Sequence, residues 1–159
     1  MADNINILVV DDEPIVLRSC ELVLKAEGYG VEKASSGKDA VLKMEQNTYD
    51  LVLTDLKMPE MDGITLIRWL KQKRPDTGIV IITGYPSQDT IKEALELGII
   101  DYVPKPFTPA VLIDVTNRAV KWIKEKIPAE KKPTDALPPS MLSELDRVIS
   151  QYKDRPGSA

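Results

Sequence analysis

Short runs of aliphatic residues alternate along most of the chain with segments whose apolar positions recur every three or four residues. Aliphatic runs between polar brackets are typical of strands buried on both faces, whereas the wider spacing is typical of amphipathic helices. The predicted strands are residues 5–10, 30–34, 51–54, 79–83 and 99–103. A predicted helix follows each strand, and the fourth and fifth helices begin at Ser87 and at Thr108-Pro109.

Five alternating strands and helices predict an α/β protein of the (βα)₅ type. Because crossovers between parallel strands are right-handed, the chain is expected to form a doubly wound, parallel five-stranded sheet with helices on both faces. Pro14 and Asp62 have the residue types that begin helices, by fixing the backbone and by capping free amides respectively.

The overall composition narrows the range of functions. The 159 residues are 43% hydrophobic and carry a net charge of −4, with no basic block that would follow a phosphate backbone. We therefore expect no direct nucleic-acid binding. The apolar runs are too short for a membrane span and Cys20 is the single cysteine, so a cytoplasmic protein without a membrane association is expected.

The composition changes after residue 127. Four prolines punctuate residues 128–140, which is typical of a linker. Beyond it, apolar residues at heptad-like spacing predict a short helix that would be marginal alone in water; they are Leu142, Leu145, Ile149 and Tyr152. The predicted organisation is one domain of residues 1–127 and a Pro-rich linker with a short C-terminal helix over residues 128–159.

Acidic residues follow two of the predicted strands. Asp11 and Asp12 come after the first strand and Asp55 after the third. Since parallel strands end at one edge of the sheet, where open α/β sheets bind ligands, these carboxylates are expected to lie close together. Carboxylates that repel one another accept a hard divalent cation such as Mg²⁺ or Ca²⁺, and Mn²⁺ can take the place of Mg²⁺.

Two further polar residues lie at the ends of the fourth and fifth strands. Thr83 ends the fourth strand and Lys105 follows the fifth, and their hydroxyl and ammonium groups are the donors that phosphoryl oxygens need. Carboxylates form acyl phosphates in metal-assisted transfer, so Asp55 is a candidate nucleophile. The chain contains no histidine, which excludes histidine-dependent hydrolysis and histidine-bound metals.

The set of Asp11-Asp12, Asp55, Thr83 and Lys105-Pro106 resembles the receiver domain of two-component response regulators over about residues 4–126. The resemblance implies a flavodoxin-like sheet with strand order 2-1-3-4-5. It also implies that Asp55 is the phosphoacceptor and that Asp11 and Asp12 hold Mg²⁺, Asp12 more directly. The backbone carbonyl of Lys57 is then a further metal ligand.

The same resemblance assigns roles to the other positions. Thr83 and Lys105 engage the phosphoryl group, Tyr102 is the aromatic switch residue, and the Lys105-Pro106 peptide is expected to be cis. Lys57 and Tyr85 occupy positions that tune the lifetime of the phosphoryl group. A bulky Tyr85 predicts slow autodephosphorylation.

The resemblance also implies partners. A sensor histidine kinase or a histidine phosphotransfer protein supplies the phosphoryl group, and the chain acts as a switch rather than an enzyme. A downstream protein, or a second copy in a homodimer, then binds the face of the fourth helix, fifth strand and fifth helix. Four charged residues are expected on that face, where an ordinary solvated surface is the alternative interpretation: Lys92, Asp101, Arg118 and Lys121.

Two alternatives remain. One is an interaction module that works without phosphorylation. The other is an aspartyl-phosphate phosphatase of the haloacid dehalogenase type, which places its nucleophile in an Asp-X-Asp run after the first strand. Here that run is Asp11-Asp12-Glu13, which departs from the phosphatase pattern.

Overall fold

The computed structural model describes residues 4–84 and 87–125. In this part of the chain, five parallel strands form one sheet in the order 2-1-3-4-5, which confirms the expected fold. The strands are β1 (Asn6–Val10), β2 (Gly30–Ala34), β3 (Leu51–Thr54), β4 (Gly78–Thr83) and β5 (Asp101–Pro104). The helices are α1 (Pro14–Ala26), α2 (Gly37–Gln46), α3 (Gly63–Lys73), α4 (Gln88–Leu97) and α5 (Pro109–Glu125).

Alternate residues of each central strand point to opposite faces of the sheet and fill two separate cores. Leu8 and Val10 of β1 pack with α2, α3 and α4, whereas Ile7 and Val9 pack with α1 and α5. β3 is buried along its whole length between β1 and β4. The strand that ends at Asp55 is therefore held rigidly by packing on both faces.

Short polar side chains begin three of the helices as the sequence indicates. Asp62 accepts a hydrogen bond from the Thr65 amide, and Ser87 accepts one from the Thr90 amide. Ser36 caps α2 in the same way through the amide of Asp39. These caps fix where the chain turns from the sheet edge into each helix.

The fifth strand begins two residues later than predicted, at Asp101. Ile99 is aliphatic and buried, but its amide donates to the Ala94 carbonyl at 3.3 Å and so completes the end of α4. Gly98 makes this ending possible because it adopts a left-handed conformation with φ of 95°. The apolar run alone did not distinguish a buried helix end from a strand.

Two sequence predictions lie outside the described residues. They are the linker and helix of residues 128–159, together with the domain boundary at residue 127, and the position of Tyr85. None of the helices in the described ranges combines the length and the apolar character needed to cross a bilayer.

Candidate functional site

Asp55 lies directly after β3, at the carboxyl edge of the sheet, and its side chain is buried. Its Oδ1 accepts hydrogen bonds from the backbone amides of Leu56, at 2.7 Å, and Lys57, at 3.2 Å. Two amides of the following turn therefore fix one carboxylate oxygen. The other oxygen, Oδ2, contacts the Lys105 ammonium.

The turn after Asp55 folds back closely on the acceptor. The Gly63 amide donates to the Leu56 carbonyl at 2.9 Å. A Cβ atom on Gly63 would lie 2.2 Å from the Asp55 carbonyl oxygen and 2.7 Å from Leu56 Cα. Only glycine fits at the start of α3, so this residue sets how tightly the loop closes around Asp55.

Three carboxylates meet at this edge. Ligand oxygens of Asp11, Asp12 and Asp55 all lie within 4.8 Å of one another. Asp11 is 1% exposed; its Oδ1 accepts the Glu13 amide at 2.9 Å, while Oδ2 accepts no hydrogen bond of proper geometry. Burial raises the pKa of the Asp11 carboxyl, and the nearby Lys105 only partly opposes this. Such a donor set fits a hard divalent cation.

Lys105 links the strand ends through its ammonium group. Nζ lies 2.8 Å from Asp11 Oδ2, from Asp55 Oδ2 and from Glu13 Oε1. Partial burial disfavours the charged form, but the three carboxylates outweigh burial and raise the pKa of Lys105. The peptide bond from Lys105 to Pro106 is cis, as the resemblance implies.

Glu13 is a site residue that sequence reasoning missed. Sequence analysis considered it only as part of the acidic run before α1, although its side chain reaches Lys105 across the site. The signal that pointed to it was its place directly after Asp11 and Asp12, before the helix start at Pro14. Its side chain is 60% exposed, so it forms the outer wall of the acidic cluster.

Thr83 is the last residue of β4, and Tyr102 lies in the neighbouring strand β5. Thr83 is buried at the end of β4, and its carbonyl accepts the Lys105 amide at 2.9 Å. Tyr102 pairs with Ile81 in the sheet and is buried in the core beneath α3 and α4. Lys57 is exposed beside the acceptor.

Asp101 differs from the expected solvated charge. It is buried, its Oδ1 accepts the Tyr102 amide at 2.8 Å, and its Oδ2 lies 3.7 Å from an Arg118 nitrogen. Asp101 is therefore buried beside Tyr102, while half-buried Arg118 also lies 3.3 Å from Asp114 Oδ2.

Comparison with known proteins identifies the family. The family model described as response regulator receiver domain matches residues 7–117. The chain belongs to the response regulator receiver family. Receiver domains are phosphoacceptor switches of two-component signalling, and the geometry at Asp55 is consistent with that role.

Curated relatives of this receiver domain are longer proteins. It is 41% identical over 104 residues to the transcriptional regulatory protein ZraR of Escherichia coli K12, covering 65% of this chain and 24% of ZraR. It is 31% identical over 147 residues to the response regulator SaeR of Staphylococcus aureus USA300, covering 91% of this chain and 63% of SaeR. The chain thus spans about a quarter of the length of ZraR.

Solved receiver-domain structures match about three quarters of the chain. A CheY-like receiver domain protein from Methanospirillum hungatei JF-1 has a TM-score of 0.75 at 30% identity, covering 77% of this chain and 98% of that one. A receiver domain protein from Clostridium thermocellum has a TM-score of 0.70 at 32% identity, covering 76% and 97%. The receiver fold therefore accounts for the part of the chain that carries the site.

Proposed function

We propose that Asp55 accepts a phosphoryl group from a sensor histidine kinase or a histidine phosphotransfer protein, and that phosphorylation changes binding to a protein target. The observation that carries this proposal is the 2.8 Å contact between Lys105 Nζ and Asp55 Oδ2. It lies where three carboxylates converge. An ammonium group in this position can neutralise charge that develops on the phosphoryl oxygens.

Asp11, Asp12 and Asp55 are the residues that would hold Mg²⁺, or Mn²⁺ in its place, with the Lys57 carbonyl as a further ligand. When bound, the cation supplies charge neutralisation for the phosphoryl oxygens. The buried Asp11 carboxylate supports this assignment. Its Oδ2 accepts no hydrogen bond of proper geometry and lies 2.8 Å from the Lys105 ammonium, and a buried carboxylate is costly unless cations or hydrogen bonds compensate its charge.

The transfer itself requires little movement of the acceptor. A carboxylate oxygen of Asp55 forms a bond to phosphorus while the bond from phosphorus to the donor's histidine nitrogen breaks, and the nitrogen keeps the electron pair. The amides of Leu56 and Lys57 hold the carboxylate in one orientation during this step. Pre-positioning of this kind lowers the barrier without a catalytic base.

After transfer, the Thr83 hydroxyl donates to a phosphoryl oxygen and Tyr102 follows it inward. This shifts a pre-existing equilibrium of the surface formed by α4, β5 and α5, where a protein target or a second copy binds. We infer that buried Asp101, whose Oδ1 accepts the Tyr102 amide, and half-buried Arg118 beside it transmit the change. Lys57 and Tyr85 set the lifetime of the phosphoryl group, and we expect slow hydrolysis.

We infer that the receiver contacts proteins and not nucleic acid directly, since the chain carries a net charge of −4. ZraR is a transcriptional regulatory protein, so an output in transcription would pass through a protein contact of this receiver. We also infer a cytoplasmic location, because the chain has a single cysteine and its apolar runs are too short for a membrane span.

The deciding experiment is intact mass spectrometry after incubation with acetyl phosphate and Mg²⁺. We expect one added phosphoryl group in the wild type and in Asp50→Asn, and none in Asp55→Asn. Asp50 is the matched control because it brackets the opposite end of β3. Without Mg²⁺ the adduct should be lost.

Other outcomes would identify the alternatives. Absence of an adduct from acetyl phosphate and from a phosphorylated histidine protein would overturn the proposal in favour of an interaction module. Sustained turnover of a small phosphoester would instead support the phosphatase, which the family match and the position of the acceptor after β3 argue against.

A further inference from the structure

An apolar groove of about 710 Å³ runs along the outer side of α1, beside the start of α5. Ile15 and Leu22 line it and are 77% and 61% exposed. They are seven residues apart, so they lie on one stripe of α1 two turns apart. Phe107 and Pro109 form the opposite wall. A continuous apolar surface of this kind is typical of an interaction site.

The two ends of the groove differ in chemistry. Glu13, Gly84 and Lys105 line the end at the carboxyl edge of the sheet, so this end opens on the acceptor site. Leu22 and Val23 lie toward the other end, near the last turn of α1. An occupant of the groove would therefore extend from the acidic cluster toward the opposite edge of the sheet.

The described chain ends close to the second end of the groove. Ile123 of α5 packs against Gly78, the first residue of β4, where a Cβ would lie 2.6 Å from Ile123 Cδ1. α5 thus finishes at the edge of the sheet opposite to the acceptor site. α1 and α5 run in the same direction and share one core, so the chain leaves near the end of α1.

The 34 residues after Glu125 supply a segment that matches the groove. Residues 141–152 have apolar positions at helical spacing: Met141, Leu142, Leu145, Val148, Ile149 and Tyr152. As a helix they would be about 18 Å long, close to the roughly 20 Å of α1. Extended at about 3.1 Å per residue, the Pro-rich residues 126–140 reach about 45 Å, which is ample for the return to the groove.

Charge sets the direction of the segment. Lys153 and Arg155, on either side of Asp154, follow its last apolar residue. Exposed Glu13 lines the acceptor end of the groove beside Lys105, and exposed Asp12 precedes it in the chain. A segment running antiparallel to α1 brings these opposite charges together. Exposed ion pairs contribute little to affinity, so they choose the orientation while the apolar residues supply the binding free energy.

We propose that residues 141–152 form an amphipathic helix that packs into this groove antiparallel to α1, with Leu145 near Leu22 and Tyr152 near Ile15. The packed helix covers the apolar rim of the acceptor edge. This docking does not depend on phosphoryl transfer and can be tested in the unphosphorylated full chain.

Disulfide trapping tests the proposal directly. The full chain with Leu22→Cys and Leu145→Cys is oxidised mildly at low concentration, beside a control with Leu42→Cys and Leu145→Cys. Leu42 is 58% exposed on α2, on the other face of the sheet. Native Cys20 is fully buried and burial raises its pKa to about 12, so it does not compete.

We expect the link within one chain to form about tenfold faster in the Leu22 variant than in the Leu42 variant, because docking raises the effective thiol concentration. Equal rates, or no link in either variant, would overturn the proposal. A link found only between chains would also overturn it and assign the groove to a second copy.

A labelling experiment gives a second test without a cross-link. In Leu22→Cys protein, adding Leu145→Asp should speed reaction with a thiol reagent several-fold, since the helix no longer covers the cysteine. The same addition in Leu42→Cys protein should leave the rate unchanged. A Leu22→Cys rate that ignores Leu145→Asp contradicts the docking.

Discussion

Lys105 Nζ lies 2.8 Å from Asp55 Oδ2, and the same ammonium contacts Asp11 Oδ2 at an equal distance. The Lys105 ammonium thus neutralises two carboxylate oxygens that the proposed metal site also requires. Lys105 and a divalent cation therefore compete for the same carboxylates before transfer. Both would nevertheless stabilise the negative charge of the incoming phosphoryl group.

Lys105→Gln should separate these two effects. Removing the ammonium lowers the positive potential at Asp11 and Asp55, so Mg²⁺ should bind several-fold more tightly by titration calorimetry. Phosphorylation by acetyl phosphate should slow by about tenfold or more, because about 1.4 kcal/mol of transition-state stabilisation corresponds to that factor. The rate is measured by intact mass over time.

Lys38→Gln is the matched control for that change. Lys38 is an exposed lysine 3.7 Å from Glu60, and no ion pair joins it to Asp11 or Asp55 among the described residues. It should leave Mg²⁺ affinity and the phosphorylation rate unchanged. Weaker Mg²⁺ binding in Lys105→Gln would show that the lysine organises the carboxylates instead of competing with the cation.

Glu13→Gln should release Lys105 from its exposed partner. An exposed pair of this kind contributes about 0.5 kcal/mol, so stability should change little and phosphorylation should become about twofold faster. Glu60→Gln removes a comparably exposed acid from Lys38 and is the control. A slower reaction in Glu13→Gln alone would instead make Glu13 a required positioning residue.

The placement of the acidic cluster could be predicted from sequence because the ends of parallel strands share one edge. The strand assignments alone were enough to predict that Asp11, Asp12 and Asp55 lie close together. The strand order came from the family resemblance. The side-chain direction of Glu13 could not be predicted. That direction depends on a contact with Lys105, which is 92 residues away in the chain, and no local sequence pattern predicts such a contact.

The burial of Asp101 was beyond sequence reasoning for a related reason. A charged residue at the start of a short strand is normally solvated. Here the register of β5 against Val80 of β4 turns Asp101 inward, and Arg118 from α5 covers it. Tertiary packing between separate elements decided the environment, as it did for Ile99 at the end of α4.

Asp11→Asn should stabilise the metal-free protein near neutral pH. Burial raises the pKa of Asp11 in the folded state despite Lys105, so folding favours the protonated carboxyl. The contribution of the Asp11 carboxyl to the unfolding free energy therefore falls as pH rises from 3.8 through the raised pKa. The asparagine side chain of the variant does not titrate and has no such loss. In chelator at pH 7, the variant should melt a few degrees higher.

The same variant should lose its advantage under two conditions. As pH falls toward 3.8, wild-type Asp11 becomes protonated and the difference should vanish. With saturating Mg²⁺, the wild type should gain the larger stabilisation, because the charged carboxylate binds the cation. Asp50→Asn should show no such Mg²⁺ dependence, and a variant that melts lower than wild type in chelator would contradict the assignment.

Gly63→Ala should loosen the acceptor loop. The added methyl group would meet backbone atoms of Asp55 and Leu56 at 2.2 and 2.7 Å, and backbone cannot move aside as a flexible side chain can. We expect a loss of about 2–3 kcal/mol in unfolding free energy by urea denaturation. Gly84→Ala is the control, because its Cβ would lie 3.5 Å from Lys105 Cβ, an ordinary contact. Equal stabilities of the two variants would mean that the loop around Asp55 adapts without cost, and that glycine at residue 63 does not fix the acceptor geometry.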